Sequence, residues 1–139
     1  MDLSQLTIGL TGSADLLVGI EHTAPRVGSG RVGVLATPVM INVMEAAALA
    51  AVEHLLPLLP HGYQSLGIHL DIRHFAATPV GMRIVARCEL TAVEGRTLSF
   101  RVDADDEKEP IGGGSHQRVV VNVARFDQRV QRKIDSTRS

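Results

Sequence analysis

The spacing of apolar residues in this chain changes period midway. Residues 39–56, VMINVMEAAALAAVEHLL, are apolar almost all the way round a 3.6-residue turn, interrupted only by Asn42, Glu45, Glu53 and His54. That pattern marks a helix enclosed by the fold rather than one lying on its surface. Thr37 followed by Pro38 predicts its start, with a hydroxyl at the N-cap and proline at the first helical position, and Pro57 predicts its stop. From residue 65 the period becomes two. In SLGIHLDIRHF, Ile68, Leu70, Ile72 and His74 fall on one face and His69, Asp71 and Arg73 on the other. MRIVARCELT (82–91) and LSFRVDA (98–104) alternate in the same way, joined through the turn VEGR at 93–96. RVVVNVARF (118–126) reads as a last long strand after the solvated turn DDEKEP (105–110), and ADLLVGIEH (14–22) as a first strand. Short loops between the late strands make them antiparallel, because parallel neighbours require long crossovers. One enclosed helix and one antiparallel sheet predict a single α+β domain spanning residues 1–139, with the helix lying on the sheet. Its basic end, from about 127 to 139, is read as a frayed amphipathic helix with Phe126, Val130 and Ile134 at helical spacing.

Composition narrows the partners. A chain of 139 residues that is 45% hydrophobic has enough material for one buried core. A formal charge of -1, with one Tyr, three Phe and no Trp, offers neither the field nor the stacking platforms expected of a nucleic-acid binder. The lone cysteine, Cys88, cannot close an internal disulfide and alternates with apolar residues, so it reads as an inert core thiol in a reducing cytoplasm. The opening MDLSQLTIGLTGSADLL lacks the basic and continuously apolar regions of a secretory leader. The run from Val39 to Leu59 has the length of a membrane span, but its four polar residues with Pro57 and Pro60 argue against one. Gly28, Gly30 and Gly33 match the G-x-G-x-x-G of a dinucleotide site, which needs its last glycine at a helix start and an acidic residue about 20 positions on, at a strand end. Here the helix begins several residues late and Glu53 lies inside it, so these glycines read as a mobile loop.

Three positions break the pattern in ways that chemistry uses. His74 stands where an inward strand face calls for Val or Ile; it is either a core histidine satisfied by one hydrogen bond or a base. Glu45 lies within the enclosed helix, where a carboxylate is costly unless paired, with Arg118 as the candidate partner, or unless it works. Thr37 is either an ordinary cap or a hydroxyl aimed at a substrate beside the free N–H groups of a helix start. Eight residues of helix hold Thr37 and Glu45 roughly 12 Å apart along the axis. If both serve one site, a second copy of the helix is the simplest way to join them, which makes a dimer necessary. His116, after three glycines and a serine, is a ligand contact or a plain loop histidine. His69 is exposed or at a dimer contact. His22, His54 and His61 have no metal-ligand spacing, and no metal site is expected.

Taken together, ATPVMINVMEAA (36–47), SLGIHLDIRHFAATPVGM (65–82), AVEGRTLSFRVDA (92–104) and IGGGSHQRVVV (111–121) resemble the fluoroacetyl-CoA thioesterase-like family of hotdog-fold acyl-CoA thioesterases. The resemblance runs from about residue 35 to 135. It implies a long central helix wrapped by an antiparallel sheet and a homodimer joined through sheet edges, with tetramers left open. It also implies hydrolysis of an acyl-CoA to a carboxylic acid and free CoA, with no cofactor beyond the CoA of the substrate. The family's catalytic threonine, glutamate and histidine would fall on Thr37, Glu45 and His74, a glycine near the thioester carbonyl on Gly67, and an arginine near the site on Arg118. The resemblance departs at TAPRVGSGRVGVLA (23–36), which has no aromatic residue where the fluoroacetyl-specific member carries lid phenylalanines. Fluoroacetyl specificity is therefore not implied. Two other activities stay open: a hotdog-fold acyl-CoA hydratase or dehydratase, and a non-catalytic module that binds acyl-CoA or another apolar ligand.

Overall fold

A computed structural model describes residues 3–56 and 62–138; Pro57, read as the helix stop, and His61 lie outside them. The chain forms strand β1 (Thr11–Leu17), a 3-10 turn at Ile20–His22, a short helix α1 (Ala24–Val27) and the central helix α2 (Thr37–Val52). Strands β2 (Tyr63–His74), β3 (Arg83–Glu94), β4 (Thr97–Asp105) and β5 (Pro110–Asn122) follow, then helix α3 (Val123–Arg138). The strands make one antiparallel sheet in the order β1-β3-β4-β5-β2. Helix α2 lies across it, as the two periodicities predicted. Among the described residues, no helix is long and apolar enough to cross a membrane.

The core is the face of α2 set against the alternating positions of the sheet. Met40, Met44, Ala47, Ala48, Ala51 and Val52 are fully enclosed against Ile84, Ala86 and Leu90 of β3 and Leu98, Phe100, Val102 and Ala104 of β4. Small residues on α2 let β1 come into backbone contact with it. A Cβ added at Gly12 would strike the Ala47 carbonyl and lie 2.6 Å from the Ala51 nitrogen. Cys88 packs into the same seam, where its thiol donates to the Ala47 carbonyl at 3.2 Å and burial pushes its pKa up to about 11.

Several boundaries differ from those expected. The first strand runs from Thr11 to Leu17 rather than from 14 to 22, and α1 lies directly ahead of the glycines read as a mobile loop. Helix α2 ends at Val52, short of Leu56, and its N-cap is Ala36, so Thr37 is the first helical residue. Strand β5 starts at Pro110 rather than Arg118, because the glycines read as a loop are strand residues under a closely packed helix. At Gly112 a Cβ would lie 2.6 Å from Met40 Sδ and 2.8 Å from the Arg73 carbonyl, a crowding that only glycine relieves. Residues 123–126, expected as strand, open α3, which leaves Val130 and Ile134 exposed.

Strand β2 is the edge of the sheet and pairs only with β5. Its register shifts between Gly67 and His69, where Ile68 is the extra residue of a bulge. A bulge resets which residues face the helix. Gly67 opposite Arg118, and then Leu70, Ile72 and His74, therefore share the inner face, although strict alternation would put Gly67 and His74 on opposite sides. Leu66, Ile68 and Leu70 are 39%, 54% and 42% exposed, so these three find little cover within one chain, whereas Tyr63 and Ile72 pack against the core.

Candidate active site

The start of α2 and the end of β2 meet. Because Ala36, with extended backbone, is the N-cap and no side-chain cap bond forms, the Thr37 hydroxyl is not spent on the helix. It hydrogen-bonds His74 instead, with Thr37 Oγ1 2.7 Å from His74 Nδ1. The imidazole is half-buried, and burial lowers its pKa below the ordinary 6.5, with the Ala76 backbone opposing part of the shift. Its Nε2 is enclosed without a well-formed hydrogen bond. A neutral ring with one nitrogen on a hydroxyl is the state that can accept a proton near neutral pH.

The segments on either side of this pair are tied together. Ala36 N–H donates to the His22 carbonyl, Leu35 N–H to the Thr78 carbonyl, and Phe75 N–H to the Ile111 carbonyl, each at 2.9 Å. The enclosed Thr78 hydroxyl in turn donates to Asp106 Oδ2 at 2.9 Å, anchoring the strap after His74 to the turn between β4 and β5. Over the pair opens a cleft of about 320 Å³, walled by loop residues 29–32, by Val34 and Leu35, and by Phe75 to Ala77.

A second group stands further along α2. Glu45 Oε2 is 3.6 Å from Arg118 Nη1, the pairing anticipated from sequence. Arg118 is held on every side: Nε donates to Ser65 Oγ at 2.9 Å, Nη2 to the Ser65 carbonyl at 3.1 Å, and Nη1 to His116 Nε2 at 3.2 Å. His116 is not a loop residue. It lies within β5, fully enclosed and stacked on Phe100, and its Nδ1–H donates to the His69 carbonyl at 2.8 Å. Burial first, and then the Arg118 charge, hold its pKa down. Its Nε2 accepts from the guanidinium and helps to fix it. Gly67 gives the carboxylate its space, since a Cβ there would lie 2.6 Å from Glu45 Oε2. Asn42, Ala46 and Leu49 complete a shallow depression beside Glu45 and Arg118.

Of the residues expected to act together, the fold thus joins Thr37 with His74, and Glu45 with Gly67 and Arg118. It does not join the two groups within one chain. Glu45 lies roughly 12 Å along the helix axis from Thr37, and seven residues of strand put His74 about 20 Å from Gly67. Sequence reasoning passed over Ser65 and the Thr78–Asp106 link; strict alternation sorts Ser65 with His69, Asp71 and Arg73 on the polar face, and only the bulge at Ile68 places it on the inner one. Among the described residues no cluster of three or more His, Cys, Asp or Glu side chains could hold a metal ion.

The chain is similar to known proteins along most of its length. The family of fluoroacetyl-CoA-specific thioesterases matches residues 18–124. The fluoroacetyl-CoA thioesterase of Streptantibioticus cattleyicolor is 41% identical over 100 residues, covering 72% of this chain and 70% of that one. The solved structure of the fluoroacetyl-CoA thioesterase FlK superposes with a TM-score of 0.81 at 33% identity, over 91% of this chain and 96% of that one. A Thermus thermophilus member of the thioesterase superfamily superposes with a TM-score of 0.85 at 27% identity, over 95% and 96%.

Proposed function

The chain belongs to the family of fluoroacetyl-CoA-specific thioesterases, and from that premise we infer that it hydrolyses an acyl-CoA thioester to a carboxylic acid and free CoA, at a site assembled from two copies of the chain. The observation that carries this reading is the Thr37–His74 hydrogen bond at the floor of a cleft, with His74 Nε2 enclosed and without a well-formed hydrogen bond. Glu45, the carboxylate suited to that nitrogen, stands at the other end of the same inner face.

The free edge of β2 supplies the geometry. Two antiparallel copies of this strand, related by a twofold axis near Leu70 and Asp71, would set Gly67 of one copy opposite His74 of the other. That pairing would cover Leu66, Ile68 and Leu70 and carry the partner's Glu45 and Arg118 toward the Thr37–His74 pair. Such a dimer answers two features at once: an uncovered apolar edge and a histidine nitrogen without a well-formed hydrogen bond.

In the reaction, the thioester carbonyl lies at Thr37, whose hydroxyl, bonded to His74 Nδ1, accepts from the attacking water and relays its proton. Val39 and Met40 N–H already donate to the Ala36 carbonyl, so the start of α2 steadies the developing oxyanion through its dipole. His74 takes the proton of the attacking water as the oxygen–carbon bond forms, and returns it to the CoA sulfur as the carbon–sulfur bond breaks. The partner's Glu45, held by its Arg118, orients the ring and stabilises its charged form. In the covalent variant the carboxylate attacks first and expels the CoA thiolate, which takes a proton from solvent, giving an anhydride that water then opens to two carboxylates. Thiol release from short, branched and aromatic acyl-CoAs tests the activity. A His74→Ala enzyme that stays folded should lose about 100-fold or more in kcat, and Glu45→Gln should also be impaired. A single turnover in heavy-oxygen water separates the routes, since label in Glu45 appears only by the covalent one. A purified protein that releases no thiol from any of these substrates would refute the reading.

A further inference from the structure

The cleft over Thr37 and His74 has a charge at its rim that hydrolysis itself does not use. Its walls are apolar at Val32, Val34, Leu35, Phe75, Ala76 and Ala77, no lining residue is acidic, and Arg31 is its one cation. Arg31 makes no side-chain ion pair or hydrogen bond among the described residues, so its guanidinium is not engaged within the chain. Nor is the loop that carries it loose at its base. The Ala24 carbonyl accepts from Gly28 and Ser29 N–H, Ala24 N–H donates to the Val34 carbonyl at 3.0 Å, and Thr23 bridges to Leu35. Gly28, at φ +83°, turns the chain out of α1 into that loop. The result is a closed loop presenting one guanidinium over an apolar slot whose floor is the proposed reaction centre.

A planar guanidinium binds a carboxylate through two parallel N–H bonds. An acyl group with its thioester carbon at Thr37 would lay its methylenes along Val34, Leu35 and Phe75 and point its far end toward Arg31. Resting on the hydrolytic reading, we propose that Arg31 makes the enzyme selective for acyl groups ending in a carboxylate, the half-thioesters of dicarboxylic acids. The same guanidinium chemistry could be spent on the phosphates of CoA, and the test separates the two.

Glutaryl-CoA and pentanoyl-CoA have five-carbon acyl groups that differ in the terminal carboxylate. The wild-type ratio of kcat/KM, glutaryl over pentanoyl, should exceed one and fall about tenfold or more in Arg31→Ala, the scale of a charge-assisted hydrogen bond. Arg31→Lys, which keeps the charge but not the fork, should recover part of the ratio. An equal loss on both substrates would assign Arg31 to the CoA phosphates and overturn the proposal, as would no loss on either. Calorimetric binding of glutarate against pentanoate reads the same contact without turnover. Wild type should bind glutarate about tenfold more tightly and Arg31→Ala should not; equal affinities in wild type would refute the proposal even if no thioester were hydrolysed.

Discussion

Replacing Gly67 with alanine isolates the position of a carboxylate from the stability of the fold. The backbone there needs no positive φ, so alanine fits the strand. The added methyl would lie 2.6 Å from Glu45 Oε2 and 3.2 Å from His116 Cε1. A carbon–oxygen contact normally keeps about 3.3 Å or more, a shortfall of about 0.7 Å at the carboxylate. His116 cannot yield, because it is stacked on Phe100 and bonded at both ring nitrogens. Glu45 is the free end of a side chain that is 35% exposed, so it is the group that moves, changing its approach to Arg118 Nη1. Since a misplacement near 1 Å costs on the order of 100-fold in rate, kcat for thiol release should fall about 10- to 100-fold. Thermal unfolding should change little, because no core contact is lost. Stopped-flow thiol detection beside a melting curve checks both halves. A Gly67→Ala enzyme with wild-type kcat would show that the place of this carboxylate does not matter to the reaction.

Three further outcomes follow. Burial lowers the His74 pKa in the single chain and the partner's Glu45 would raise it, so the acidic limb of kcat/KM should move to lower pH in Glu45→Gln; a limb that stays in place would separate the carboxylate from the ring. His74 and His116 both bind protons less readily folded than unfolded. The unfolded chain therefore takes up more protons as pH drops, and stability should fall from about 6.5 downward through the folded pKa values, read by denaturant midpoints across pH; a midpoint constant from pH 7 to 5 would contradict this. Gly12→Ala drives a methyl into the backbone of α2, which cannot move aside, and should cost about 1–3 kcal/mol or more in urea unfolding; an unchanged midpoint would mean that β1 and α2 are not in contact.

Much of this was legible in the residues because the signals were local. The all-round apolar pattern of residues 39–52 fixed a buried helix, and alternation at Ile84, Ala86, Cys88 and Leu90 and at Leu98, Phe100, Val102 and Ala104 fixed the inner face of the sheet. The features that escaped were long-range. Gly112 looked like a turn residue because nothing local announces that Met40 and Arg73 will press on it from another element. The bulge at Ile68 has no sequence mark, and without it Gly67 and His74 sort to opposite faces. Thr37 had the chemistry of a cap, and only the chain's approach through Ala36 shows that its hydroxyl is free for His74. His116 looked like loop chemistry because its neighbours are glycines; its burial follows from the strand those glycines belong to.

The sharpest test is subunit complementation. Enzyme carrying His74→Ala and enzyme carrying Glu45→Gln should each be nearly inactive, because every site in either homodimer lacks one group. When equal amounts are unfolded together and refolded, half of the dimers should be mixed. Each mixed dimer would have one site with an intact His74 and the other chain's intact Glu45, restoring about one quarter of wild-type activity. Activity that stays at the sum of the two separate variants would mean that the histidine and the carboxylate never meet across two copies.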